Sequence, residues 1–415
     1  MVKSDPVPNP YLTRFKELLV RSAAVAQQRI ADEGPTTPIS DSARVRAQNV
    51  LSYTLKDTEA WDATRDLLLA MAPKMELAGY RQEWLTYLND GLLQSQQQGD
   101  QTALAALQFQ CGYLYRLLSN YEQAHVLLSA SVARYATLGE TAGQARALNQ
   151  LAYLAWQQHR YADAEHFAQA ALQIVAETSL ERAMSLSALG LVAYNRSRYT
   201  DAEKYHHEAL LLRTDHNAQK EMAWSLQNLG LNAAEQGKYE VAIAYYTRAL
   251  TLLDKVYDPA HRAIVQMNLG GTYYRQKAYA QALDILNPVE QELRRLSDEL
   301  NLAKLLTTKG LCYLAQQDWA LAEDAFRTSA ELFHRLGDLS WYLNAYDGLG
   351  ISYLEREQYE QALTIFEAIV AQLPQIEGTP AHKHLAATVE TQIAQVQAKQ
   401  MKRGESVYRR TADQL

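Results

Sequence analysis

A period of 40 residues, marked by three residue types in fixed phase, constrains this 415-residue chain more than any other feature. A small residue recurs at Gly112, Ala152, Gly190, Gly230, Gly270, Gly310 and Gly350, at spacings of 40, 38, 40, 40, 40 and 40. Nine positions after each stands an aromatic: Tyr121, Tyr161, Tyr199, Tyr239, Tyr279, Trp319 and Tyr359. Twelve positions after each stands an alanine: Ala124, Ala164, Ala202, Ala242, Ala282, Ala322 and Ala362. Between these marks, as in residues 221–253, the apolar residues predict two amphipathic helices joined at a tight turn. Glycine inside a helix costs about 1 kcal/mol relative to alanine. Gly230 therefore implies two helices crossing toward the ~8 Å end of the usual interaxial range.

A repeat array escapes the usual division of a chain this long into two or three globular domains, because each unit buries its apolar face on its neighbours. Hydrophobic residues make up 48% and charged residues 21%, as in ordinary globular chains. The net charge of −7 argues against a broad nucleic-acid-binding face. Cys111 and Cys312 are the only cysteines, and both stand beside a crossing glycine. Five repeats apart, at about 10 Å per helix layer, they lie beyond the ~7 Å reach of a disulfide, so we expect buried thiols and a reducing, cytoplasmic setting. The first ten residues lack an apolar signal core and no 18-residue apolar run occurs, so no membrane partner is expected.

In chain order, residues 1–9 read as a disordered tail and 10–57 as N-terminal helices, the first opening at Asn9-Pro10 and ending near Glu33. Residues 33–40, with two prolines and a glycine, are the clearest linker. Ser40 or Asp41 should cap the next helix, and Pro73 should end or kink the one after it. Residues 58–99 have the length of one period but carry Trp84 where later units have alanine, so they form a degenerate capping repeat. Seven regular units fill 100–373. The 38-residue spacing should shorten the turn near residues 177–179. A capping helix is expected over 379–400, followed by a flexible basic tail over 401–415.

The pattern L-G-x-x-Y/A, then Y-x-x-A and a later A-L, resembles the tetratricopeptide (TPR) motif, whose usual period is 34. The six extra residues lengthen each helix by a little under one turn. Over about residues 58–373 the long units resemble those of kinesin light chains, of the sensor domain of the bacterial maltose-regulon activator and of peptide-binding phosphatase regulators of Gram-positive bacteria. The resemblance implies an all-α fold, an α-α superhelix of antiparallel helix pairs. It also implies a concave groove, lined by the first helix of each pair, that holds a protein or peptide segment.

Counted from the crossing residue, the groove positions give Asn149, Tyr153, Trp156, Tyr194, Gln227, Asn228, Asn268, Tyr274 and Arg275, with Arg146 and Trp224 able to reach in. Asn and Gln carry a donor and an acceptor each, which suits the main chain of an extended peptide. Aromatic rings add apolar area at low entropic cost. In long-unit relatives an asparagine at the position of Asn228 and Asn268 clamps the peptide backbone, which the resemblance carries over to these two residues. The alternative is that these asparagines bond to neighbouring helices and hold the repeats in register. Two roles follow: a passive scaffold, or a ligand sensor whose change of shape moves the N-terminal helices against an effector.

No phosphate-cradling glycine loop, HExxH, CxxC or GxSxG motif occurs. No catalytic residue, cofactor or metal is therefore expected. His206-His207 lie about 100° apart on one helix and His382/His384 stand at i,i+2, so neither pair faces one ligand.

Overall fold

The computed structural model describes residues 10–34, 37–256, 258–296 and 298–412. The expected disordered tail at 1–9 and the last three residues of the expected flexible tail lie outside these. The described residues form nineteen α-helices and two short 3-10 segments. They fall into two compact units, one comprising the chain to Asn232 with Thr251–Asp258, the other Ala233–Leu250 with the chain from Pro259.

The first unit opens with α1 (Pro10–Asp32) and α2 (Asp41–Thr54), then a 3-10 turn (Thr58–Ala60), α3 (Trp61–Leu77) and α4 (Arg81–Gln97). Ser40 caps α2, its hydroxyl accepting from the Ala43 amide at 3.3 Å. Pro73 neither ends α3 nor marks its boundary: it lies inside the helix. A mid-helix proline costs about 3 kcal/mol. Here Leu67, Leu68, Met71 and Met75, all wholly buried, hold both flanks in place. Trp84 is also wholly buried and stacks on Tyr87, so this part of the first unit packs around an indole.

Three helix pairs follow: α5 (Gln101–Leu117) with α6 (Tyr121–Leu138), α7 (Thr141–Gln157) with α8 (Tyr161–Ile174), and α9 (Leu180–Asn195) with α10 (Tyr199–Asp215). Helices α11 (Gln219–Glu235) and α12 (Tyr239–Leu253) contribute to both units. The second unit continues with α13 (Pro259–Arg275), α14 (Tyr279–Arg295), α15 (Glu299–Ala315), α16 (Trp319–Leu336), α17 (Leu339–Glu355) and α18 (Tyr359–Gln372). A 3-10 segment (Leu373–Ile376) then leads to α19 (Pro380–Ala412). Within each unit the first helices of successive pairs touch one another, α5 with α7 and α7 with α9, α13 with α15 and α15 with α17. The second helices make no comparable contact among the described residues, which puts the first helices on the inner side of each stack.

The 38-residue spacing is absorbed in helices and not in the turn. Helix α8 has 14 residues against 18 in α6 and 17 in α10, and Val175 leaves it in an extended conformation. Helix α9, with 16 residues, gives up one more. The terminal helix also departs from expectation, because α19 continues to Ala412 past residue 400. Residues 401–412 contain no proline, and the single Gly404 costs only about 1 kcal/mol in a helix. Leu385, Val389 and Val396 of α19 are wholly buried and join Phe366 and Ile369 of α18 in one core.

The crossing glycines make room for a particular side chain, the one sixteen positions later. A Cβ at Gly112 would stand 2.7 Å from Leu128, at Gly270 2.7 Å from Leu286, at Gly310 2.8 Å from Phe326 and at Gly350 2.6 Å from Phe366. In the second repeat the pair is Ala152 and Ala168, both wholly buried. The third repeat breaks the apolar rule, with His206 against Gly190. A second periodic demand falls seven positions after the crossing, where Ser119, His159, Ser197, Gly237, Lys277, Gln317 and Glu357 all adopt left-handed backbone, φ 58–72°. This residue turns each first helix into its second, and only Gly237 does so without a Cβ penalty.

Candidate functional site

In the first unit the inner face is built on α7 and α9. Asn149 is wholly buried: its amide donates to Glu181 O at 2.9 Å and its oxygen accepts from Ser185 Oγ at 2.7 Å. Both ends are consumed in locking α7 to α9, so Asn149 holds register and is not open to a ligand. The position explains it, since the residue three before the crossing is buried in most repeats, as Ser187, Gln227, Thr307 and Asp347 show. One turn further, Tyr153 and Trp156 are half-buried. The Trp156 indole N–H is buried without a hydrogen-bond partner among the described residues. Arg146 is exposed, its guanidinium carbon 5.9 Å from the Phe109 ring centre. Tyr194 stands edge-on to Tyr199 at 6.0 Å.

Trp224, Gln227 and Asn228 follow on α11. Trp224 is 40% exposed, Gln227 and Asn228 only 6% and 8%. In the second unit Asn268 is half-buried and Tyr274 packs at 5.8 Å from Tyr279, burial pushing its phenol pKa up. Arg275 is exposed and donates to Glu235 at 2.6 Å, a surface ion pair. Among the described residues no intrachain hydrogen bond occupies the side-chain amide of Asn228 or of Asn268. The structure thus separates the asparagines into a spent one, Asn149, and two unspent ones.

Two arginines not singled out in the sequence shape the first unit's inner face. Arg116 is half-buried, its Nε donating to Gln150 Oε1 and its Nη1 to Gln157 Oε1, each at 3.0 Å. Its guanidinium carbon lies 5.4 Å from the Tyr113 ring centre and 5.9 Å from that of Tyr153. Arg213, 4% exposed, reaches from α10 to donate to Ser225 Oγ at 2.6 Å and interacts with the Tyr153 hydroxyl. Burial lowers the pKa of both guanidinium groups, because each is taken out of water without a direct carboxylate partner. The sequence carried a sign of this. Arg213 stands where other repeats have Tyr135, Leu253, Leu293 and Phe333, and His206 stands where others have leucine, alanine, tyrosine or phenylalanine.

The seventh repeat is closed differently. Asp347 is buried, its pKa pushed up to about 6 by burial against the opposing pull of Gln392 and His384 on α19. Cys111 and Cys312 are buried free thiols, raised by burial to about 12 and about 11, which keeps them protonated and unreactive at neutral pH. Among the described residues no group of three His, Cys, Asp or Glu side chains converges as metal ligands, and no helix is long and apolar enough to cross a membrane.

Tetratricopeptide-repeat models match residues 144–179, 181–255, 220–288 and 301–375, together more than half of the chain. The chain belongs to the tetratricopeptide-repeat family. Its fold class is all-α, the α-α superhelix of that family. Among solved structures, the TPR chain is similar to a Rap protein complexed with competence and sporulation factor (TM-score 0.57, 15% identity, 90% of this chain and 99% of that one). It is also similar to the apo form of the quorum sensor NprR from B. thuringiensis (TM-score 0.59, 13% identity, 77% and 88%). A third is a signal-transduction ATPase with a TPR sensor from Pyrococcus horikoshii (TM-score 0.57, 14% identity, 90% and 68%). These likenesses are of fold. No curated protein matches the chain in sequence.

Proposed function

We propose that this TPR protein is a protein- or peptide-binding scaffold that holds an extended segment on the inner faces of its repeats. The observation that carries the reading is the contrast among asparagines. The amide of Asn149 is consumed within the stack, whereas Asn228 and Asn268, each two residues before a crossing glycine, keep theirs unspent. An extended peptide on the inner face of either unit supplies the missing partner of the asparagine there through its main-chain N–H and C=O groups. Trp156, with its unbonded indole N–H, and the half-buried Tyr153 add aromatic surface on the first unit's inner face, and the half-buried Tyr274 adds it on the second's. The buried free thiols fit a reducing compartment such as the cytoplasm.

The test is a peptide-display selection on the wild-type chain, followed by calorimetry on the selected peptide with Asn228→Ala/Asn268→Ala. At about 0.5–1.5 kcal/mol net per hydrogen bond, the double variant should bind at least ten-fold more weakly with unchanged circular dichroism. Equal binding removes the clamp assignment. A ligand-sensing role is favoured by the fold likeness to NprR, the quorum sensor, and to the Rap protein solved with its factor. In that version small-angle scattering should change when the peptide is added; an unchanged curve leaves the passive scaffold.

A further inference from the structure

The molecule's exposed apolar side chains concentrate on its first helix. Among the α1 residues whose side chains are described, only Ala23, Ala26 and Ile30 are buried hydrophobics, while Phe15, Leu18, Val20 and Val25 are 38–53% exposed. A helix that amphipathic normally buries its stripe. Here part of it forms one wall of a cleft of about 300 Å³ against α2. Leu18, Val25 and Ala26 from α1 and Ala43 and Val50 from α2 supply its apolar lining. Residues 18, 22, 25 and 29 follow the i, i+4, i+7, i+11 spacing of a helix face, about 16 Å long at 1.5 Å per residue.

Charge decides the occupant. Arg21, Arg29 and Arg46 line the cleft, no acidic residue does, and none of the three forms an ion pair among the described residues. Two nearby bases are matched: Lys16 pairs with Glu59 at 2.7 Å, and Arg44 with Asp41 at 3.2 Å. We propose that the α1–α2 cleft docks an acidic amphipathic helix of a partner protein, its leucine-like stripe in the cleft and its carboxylates on Arg21, Arg29 and Arg46. A two-fold pairing with a second copy would bring six arginines together, which disfavours it. A bilayer is flat, whereas this surface is a recess between two helices, which suits the helix-in-groove mode. The surface is separate from the asparagines of the proposed peptide site, so the two readings stand or fall independently.

Fluorescence anisotropy on the full chain tests this with a labelled 18-residue peptide carrying leucines at i, i+3, i+4 and i+7 and glutamates elsewhere. A companion peptide has lysines for the glutamates. The acidic peptide should bind, lose affinity as salt is raised and bind Arg21→Glu/Arg29→Glu/Arg46→Glu at least ten-fold more weakly. That variant should in turn prefer the lysine peptide, a swap that misfolding cannot produce. Leu18→Gln/Val25→Gln should weaken binding of the acidic peptide, and Asn228→Ala/Asn268→Ala should leave it unchanged. No binding of the acidic peptide, equal binding of both peptides by wild type, or an unaffected triple-arginine variant overturns the proposal. So does preferential co-sedimentation with phosphatidylserine vesicles, or micromolar self-association that the cleft variants abolish.

Discussion

Lys277 and Gln317 are exposed side chains with no specialised chemistry, yet their backbones are held at φ 63° and 67°. For an L residue the left-handed region costs about 1–2 kcal/mol, partly offset by the freedom a glycine adds to the unfolded chain. Lys277→Gly and Gln317→Gly should therefore each stabilise the second unit by about 0.5–1 kcal/mol in urea unfolding, and Gly237→Ala should act in the opposite sense. This demand left no trace in composition, because Ser, His, Ser, Gly, Lys, Gln and Glu meet it in seven successive repeats. The crossing position was legible for the converse reason: only a residue without a bulky side chain clears Leu128, Leu286, Phe326 or Phe366. Asn149 and Asn228 stand one register position apart, about 100° around a helix. Sequence spacing placed both in the groove, while packing turned the first inward.

At the scale of elements, the linker at 33–40 is held from forty residues away. Lys74 on α3 is buried, 4% exposed, and its ammonium donates to Gly34 O and to Thr37 O, the latter at 2.7 Å. Burial lowers its pKa, yet the two carbonyls keep the ammonium satisfied. Prolines and glycine announced the linker; nothing in the linear sequence announced its clasp, since a lysine in a helix ordinarily faces water. A hydrogen bond to a charged group contributes about 1.5–3 kcal/mol. Lys74→Met should accordingly speed proteolysis and amide exchange in the linker and α2, with α15–α18 unchanged. Pro73, expected to end or kink the same helix, does not end it and is carried within it by flanking residues that are wholly buried. Local propensity was outweighed there by packing.

Across the whole molecule, the two units should respond to acid in opposite senses. His206, buried against Gly190, has its pKa lowered from 6.5 to about 3 by burial and then by the charges of Arg213 and His207. Between about pH 6.5 and 3 the unfolded chain takes up a proton that the folded unit refuses, so the first unit loses stability as pH falls, by up to about 1.4 kcal/mol per pH unit. Asp347 is raised from 3.8 to about 6. Between about pH 6 and 4 the folded second unit holds the extra proton, and this group's contribution to stability grows as pH falls. Urea unfolding from pH 7 to 4 should show the first unit weakening, with His206→Phe flattening its slope and Asp347→Asn flattening the opposing one.

The left-handed turn residue recurs at one phase of the period whatever its side chain, so the turns inside the repeats are alike in backbone. The chain is in that sense a row of cassettes, each folded back on itself by the same backbone turn. The third is tied to both of its neighbours by one side chain. Its Arg213 engages Tyr153 in the cassette before it and Ser225 in the cassette after it. That cassette carries an address, and its place in the row is written into its neighbours.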